Sequence, residues 1–321
     1  MLARSAEGLY WMGRYLARAA HLCRLLRLQT QALVDRSERE ISVGWRRIYR
    51  TMNREPPMGE IEATGDDFIL ADSFTLADDL TFERTNPGAV WSCFAMGREN
   101  ARQMRHCISA EMWTRLNLAY LRIQKLGISD IWRRSPEDFY AQTAVEIDTF
   151  AGVAASTMYR GDGWAFLQLG RVIERSQSIT SLLLFQLAAD DEQVEDIATE
   201  WTTVLRIHDA QEAYHRVYGM NVARADAMTM LVTDPLLPNS LARLFGQASD
   251  YLASVGPGAG ARASGRAQRL AGRLYAMVLY EWPDTDDHDD FLHRMDAYCR
   301  ELHELVTAAW FDYAVEDAPG S

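Results

Sequence analysis

Apolar residues recur every three to four positions along nearly all of this 321-residue chain, and that spacing commits it to helices. Leu9, Met12, Leu16, Ala20, Cys23 and Leu26 form one such stripe, with Ser5 placed to cap a helix from Ala6. No alternating stretch bounded by turn residues reads as a strand. Further helices are expected over residues 39–52 and 67–80, with a Pro- and Gly-bearing loop over 53–66 between them. Asn86-Pro87 should open a helix reaching about His106, and Ser109 one ending at Gly127. Ser135-Pro136-Glu137-Asp138 combines a capping serine, a first-turn proline and two acids, and should start a helix to about Tyr159. After the Gly161-Asp162-Gly163 turn a long helix should span 164–188. Six more are expected over 192–206, 208–219, 222–233, 239–254, 262–281 and 288–314. The expectation is an all-α, multi-helix bundle of ten or more helices, one domain over 1–321. A sub-boundary is expected near 190, where Asp190-Asp191-Glu192 interrupts the pattern and separates a repeat-bearing 1–190 from 191–321.

Composition narrows the function classes. Hydrophobic residues make up 48% and charged residues 24%, which suits a folded core rather than disorder. A net charge of −12 disfavours general nucleic-acid binding, which rests on neutralising phosphates. Lys125 is the only lysine, so no phosphate-binding loop ending in Gly-Lys-Ser/Thr exists, and Lys125 is the only place for a Schiff base. Cys23, Cys93, Cys107 and Cys299 are scattered without a C-x-x-C, which suits reduced thiols and a cytoplasmic chain. The opening Met1-Leu2-Ala3-Arg4-Ser5 is not the start of a signal peptide, and no apolar run reaches the ~20 residues of a membrane span.

Charge is spread unevenly. Residues 1–54 hold eleven arginines and four acids, whereas 281–321 hold twelve acids and two arginines. The two ends either fold against each other or leave an acidic segment for a basic partner.

One pattern occurs three times: G-R-x-x-x-R, at Gly13-Arg14 to Arg18, Gly97-Arg98 to Arg102, and Gly170-Arg171 to Arg175. Each copy lies inside an expected helix, where glycine costs about 1 kcal/mol relative to alanine. Gly13, Gly97 and Gly170 therefore point to close helix packing, with another backbone near each. The i, i+4 spacing puts each arginine pair on one face, and guanidinium forks suit carboxylates and phosphates. Two arrangements satisfy the pattern. Arg14, Arg18, Arg98, Arg102, Arg171 and Arg175 could pair with Glu7, Glu99 and Glu174 as a buried network fixing helix register. Alternatively the arginines outnumber the acids and line a pocket for an anionic ligand.

Other constellations carry less. His208, Glu212 and His215 would share a face of the 208–219 helix, but a single E-x-x-H lacks the second motif of a di-iron site. Asp284, Asp286, Asp287, Asp289 and Asp290 suit a solvated helix start. His106 and Cys107 are neighbours and diverge by about 100° on a helix, so they form no nucleophile–base pair. Trp11, Trp91, Trp113, Trp132, Trp164 and Trp201 suit core packing, and the glycine-rich 256–265 suits a surface linker. No metal site and no cofactor of this chain's own is expected.

The residues Ser5-Ala6-Glu7-Gly8-Leu9-Tyr10-Trp11-Met12-Gly13-Arg14-Tyr15-Leu16 resemble the start of the alpha-E family, bacterial all-helical proteins named for a Glu-Arg motif. The resemblance continues through Arg98-Glu99-Asn100-Ala101-Arg102, Glu111-Met112-Trp113, Leu116-Asn117, Phe166-Leu167, Gly170-Arg171, Glu174-Arg175, Asp234-Pro235 and Pro238-Asn239-Ser240. Where the family commonly repeats Glu-Arg in the first helix, this chain has Ala17-Arg18. The resemblance implies a setting rather than a reaction. Alpha-E proteins typically accompany a circularly permuted ATP-grasp ligase, with transglutaminase-like and sometimes proteasome-like peptidases. ATP and Mg would sit on the ligase. The implied role is an accessory subunit in peptide or amide synthesis that holds the ligase, an anionic substrate or the peptide product. The alternatives are a stand-alone enzyme acting on a small amide with Glu174 as general base, and an assembly scaffold.

Overall fold

The computed structural model describes residues 1–61, 69–191, 197–256 and 260–311, apart from the side chains of 190, 191 and 197–199. Its first element, α1 (Ala3–Asp35), is three residues longer at its start than the serine signal suggests. Leu2, not Ser5, occupies the cap position, and its carbonyl accepts from the amides of Ser5 and Ala6. Ser5 is buried one turn inside. Among the described residues the chain forms fourteen α-helices and no strand, an all-α bundle. After α1 come α2 (Glu38–Thr51), α3 (Ile69–Thr81), α4 (Val90–Gln103), α5 (Ala110–Ile123), α6 (Ile128–Trp132) and α7 (Pro136–Thr157). Then follow α8 (Asp162–Asp191), α9 (Ile197–Ile207), α10 (Gln211–Tyr218), α11 (Arg224–Thr233), α12 (Leu241–Ser254), α13 (Ala261–Ala276) and α14 (His288–Trp310).

Local chemistry explains most of the boundaries. Ser37, Ser109, Ser135 and Ser240 each accept a first-turn amide with their side chains, and Pro136 sits just inside α7. Asp287 caps α14 in the same way, so the acidic turn is a helix start. Asn86 does not act as a cap. Its amide donates to the Asp79 carbonyl and its oxygen accepts from Gly88, so α4 opens at Val90 instead. The helix expected over 208–219 begins only at Gln211, because residues 208–210 form the turn after α9, where Asp209 adopts φ 53°. Likewise, 261–265 is the start of α13 rather than linker, while 257–259 lie outside the described residues. At its far end α13 passes into a π-turn over Met277–Glu281 and a 3-10 turn over Trp282–Asp284. The boundary expected near 190 adjoins 192–196, and the most acidic end of the chain falls in 312–321; both segments lie outside the described residues.

The architecture is organised by one helix pair. α1 packs along α8, and α4 and α7 pack on α1, while α12 and α14 pack on α8 and α13 covers both of these. α1 and α8 run in the same direction, since Met1 meets Asp162 and Arg18 meets Glu174. Gly13 and Gly170 let them touch. A Cβ on Gly13 would lie 2.2 Å from the Leu167 carbonyl oxygen, and one on Gly170 2.0 Å from that of Tyr10. Gly97 differs: a Cβ there would meet the Leu16 side chain at 2.9 Å, not a backbone. The core cluster extends from Ala6 to Phe311, with Tyr10, Trp45, Tyr140, Trp201 and Phe245 almost wholly buried. The two ends of the described chain meet: the Tyr10 hydroxyl lies 2.8 Å from His303 Nδ1, and Tyr10 packs on Phe311. No helix among the described residues is long and apolar enough to cross a membrane.

Candidate functional site

The α1–α8 seam brings the first and third copies of the repeat together around Glu174. Arg14 Nε donates to Glu174 Oε2 at 2.7 Å; Arg18 Nε donates to Oε1 at 2.5 Å and its Nη2 to Oε2 at 3.1 Å. Arg14 Nη2 also donates to Gln177 Oε1 at 2.6 Å, and its guanidinium lies 5.3 Å from the Trp11 ring centre. Arg14 and Glu174 are each 5% exposed, whereas Arg18 reaches the surface with about a quarter of its side chain. One carboxylate thus serves two guanidiniums, a charge-assisted arrangement that satisfies both of its oxygens. Burial alone would raise the Glu174 carboxyl, but Arg14 and then Arg18 outweigh it and hold it at about 2.

The second copy stays apart. Arg98 donates twice to Asn117 Oδ1, at 3.1 and 2.8 Å, and lies over Trp113 and Tyr120. Arg102 pairs with Glu99 on the surface. The three repeats therefore do not share one interior spot: copies one and three meet, and copy two pins α4 to α5.

Within the third copy, neighbouring residues face different surroundings. Consecutive helical positions diverge by about 100°, so Arg175 points a quarter turn away from Glu174. Its Nη1 donates to Asn239 Oδ1 at 3.1 Å, and Arg171 Nη1 donates to Gln168 Oε1 at 2.9 Å. Neither reaches Glu174.

On the Glu174 side lies a cavity of about 670 Å³. Arg18, Glu174, Gln177 and Ser181 line it together with Arg46 and Arg50 of α2 and Asp289, Asp296 and Arg300 of α14. Both charge signs therefore face this space, and Arg300 also pairs with Asp296 at 2.7 Å.

Several site groups carried no signal in the sequence. His303 is one. It stacks 5.7 Å from Tyr10, and burial holds it down at about 4. His21 is another; its ring centre lies 5.7 Å from that of His208, which the sequence groups with Glu212 and His215 instead. Isolated histidines without a ligand spacing could not be paired in advance. His208 is buried while Glu212 is exposed, so the expected His208–Glu212–His215 face does not exist. Cys23, Cys93 and Cys299 are buried and Cys107 half-buried, all as free thiols. Burial raises all four thiols. Among the described residues no group of three or more His, Cys, Asp or Glu is placed to hold a metal ion.

Compared with known families, residues 1–311 match the model of Alpha-E, described as a predicted alpha-helical domain with a conserved ER motif. No curated protein and no solved structure matches the chain.

Proposed function

Because the chain belongs to the Alpha-E family, we propose that it is a helical binding subunit of an amide-forming system. Its partner is a circularly permuted ATP-grasp ligase, which carries the ATP and Mg, with transglutaminase-like or proteasome-like peptidases acting on the same product. In this reading it works in the cytoplasm. The subunit holds the ligase's anionic substrate or peptide product in the charged cavity beside Glu174. The observation that carries this reading is the cavity itself, where Arg18, Arg46, Arg50 and Arg300 converge from three helices. Arginine forks recognise carboxylates in paired geometry. Arg14 and Glu174 hold Arg18 in place from below.

The reading as an enzyme with Glu174 as base is less favoured. A carboxyl held at about 2 with both oxygens occupied by arginines is a poor proton acceptor near neutral pH. A scaffold role rests only on the unequal charge of the chain's ends.

The test is co-expression with a circularly permuted ATP-grasp ligase. The expected result is a stable complex in which Arg18→Gln weakens retention of the ligase's substrate or product and lowers ligase turnover. A clean absence of complex, with ligase turnover indifferent to this protein, would overturn the reading.

A further inference from the structure

The Arg175 side of α8 presents a different problem: half-buried guanidiniums and buried imidazoles with few acceptors in reach. Arg24 of α1 donates to Asp148 at 2.9 Å and pairs with Asp209 at 2.8 Å, so both nearby carboxylates are engaged by one guanidinium. The hydrogen bonds of Arg171 and Arg175 go to neutral amides, Gln168 and Asn239, and neither has a carboxylate of its own among the described residues. Asn239 ties this group to α9, since its amide donates to the His208 carbonyl. His208 stacks on His21, one turn before Arg24. Both rings are more than nine-tenths buried, and Nε2 of each lacks any hydrogen-bond partner.

Buried polar atoms without partners are rare and costly. Here two of them lie in the field of Arg175, whose hydrogen bond, like that of Arg171, goes to a neutral amide. Burial, then the nearby Arg171 and Arg24, push the Arg175 guanidinium down to about 9, against the smaller opposing pull of Asp148 and Asp209. Burial, then Arg24, lowers His21 to about 3, and burial, then His21, lowers His208, so both rings are neutral and each carries one N–H. With that proton on Nε2, both rings become donors.

We propose that Arg171, Arg175, His21 and His208 form a receptor for a phosphate group, free or carried on a small molecule. Donors come from two sides, guanidiniums from α8 and imidazoles from α1 and the turn after α9. A tetrahedral dianion offers acceptors in more directions than a planar carboxylate does. This site is separate from the Glu174 cavity and does not depend on the ligase reading.

The experiment titrates the full chain with inorganic phosphate, glycerol phosphate and acetate at constant ionic strength near neutral pH. Calorimetry and melting temperature are read together with the imidazole nitrogen resonances of His21 and His208. The expected result is saturable phosphate binding that raises the melting temperature and shifts both imidazole signals. Arg171→Gln and Arg175→Gln should each weaken binding at least roughly tenfold, and Arg115→Gln on the surface should leave it unchanged. Tighter binding of glycerol phosphate marks a carried group; equal or weaker binding marks the free ion. Absence of saturable phosphate binding to the natural chain, unmoved histidine signals, or acetate binding as tightly as phosphate would overturn the proposal. Because two of these readouts need no variant, an Arg175→Gln chain that fails to fold leaves the test decisive.

Discussion

Glu174 is the residue on which the seam depends. Exchanging it for Gln leaves the buried Arg14 and the half-buried Arg18 beside a neutral amide, and breaking a buried pair such as Arg14–Glu174 costs about 3–5 kcal/mol. Urea unfolding of Glu174→Gln against the natural chain measures it; a loss under about 1 kcal/mol would mean that water already screens the pair. Acid provides a second reading. The folded carboxyl at about 2 lies below its ordinary 4.5, so its stabilising effect is complete above pH 4.5 and disappears as pH falls toward 2. The acid limb of the stability curve should flatten in that window in Glu174→Gln. His21 acts earlier on the same limb. Its folded value of about 3 lies below 6.5, so the unfolded chain takes up a proton that the folded chain refuses. Stability should fall as pH drops below 6.5, and His21→Gln should remove part of that slope in pH-dependent melting. An unchanged slope would place the His21 ring in solvent.

At the scale of elements, the α1–α8 contact sorts the glycines by what surrounds them. Gly13→Ala and Gly170→Ala press a methyl into a carbonyl of the facing helix, and backbone cannot step aside as a side chain does. Each should cost at least roughly 1–3 kcal/mol. Gly97→Ala meets only the flexible end of Leu16 and should cost less. Gly272→Ala, within α13 with nothing inside 4 Å, should stabilise by about 0.5–1 kcal/mol through helix propensity. Thermal melts of the four variants check the order, and equal effects at Gly13 and Gly272 would contradict the close approach. The elements were largely legible because capping serines act locally: Ser109 and Ser135 reach amides three residues ahead. Asn86 carries the same signal and was misleading because its side chain is used by Asp79 and Gly88. The site was only half legible. An i, i+4 spacing shows that Arg14 and Arg18 share a face, but their acid lies more than 150 residues away along the chain. Nothing local distinguishes those arginines from Arg98 and Arg102, which find Asn117 and Glu99 instead.

For the molecule as a whole, the two central helices join the two groups of satellites into one core that reaches from Ala6 to Phe311. Trp45 and Trp201 are both buried in it, one in α2 and one in α9. Urea unfolding followed by tryptophan fluorescence and by far-ultraviolet dichroism should therefore give one coincident transition. Two separated transitions would place a real boundary near 190. The arginines of the first repeat meet one carboxylate, the Glu174 carried by the third. A double-mutant cycle between Arg18→Gln and Glu174→Gln tests it most directly, since it isolates the pair from the cost of either change alone. A coupling of about 1–3 kcal/mol is expected. Additive losses, with no coupling, would contradict it.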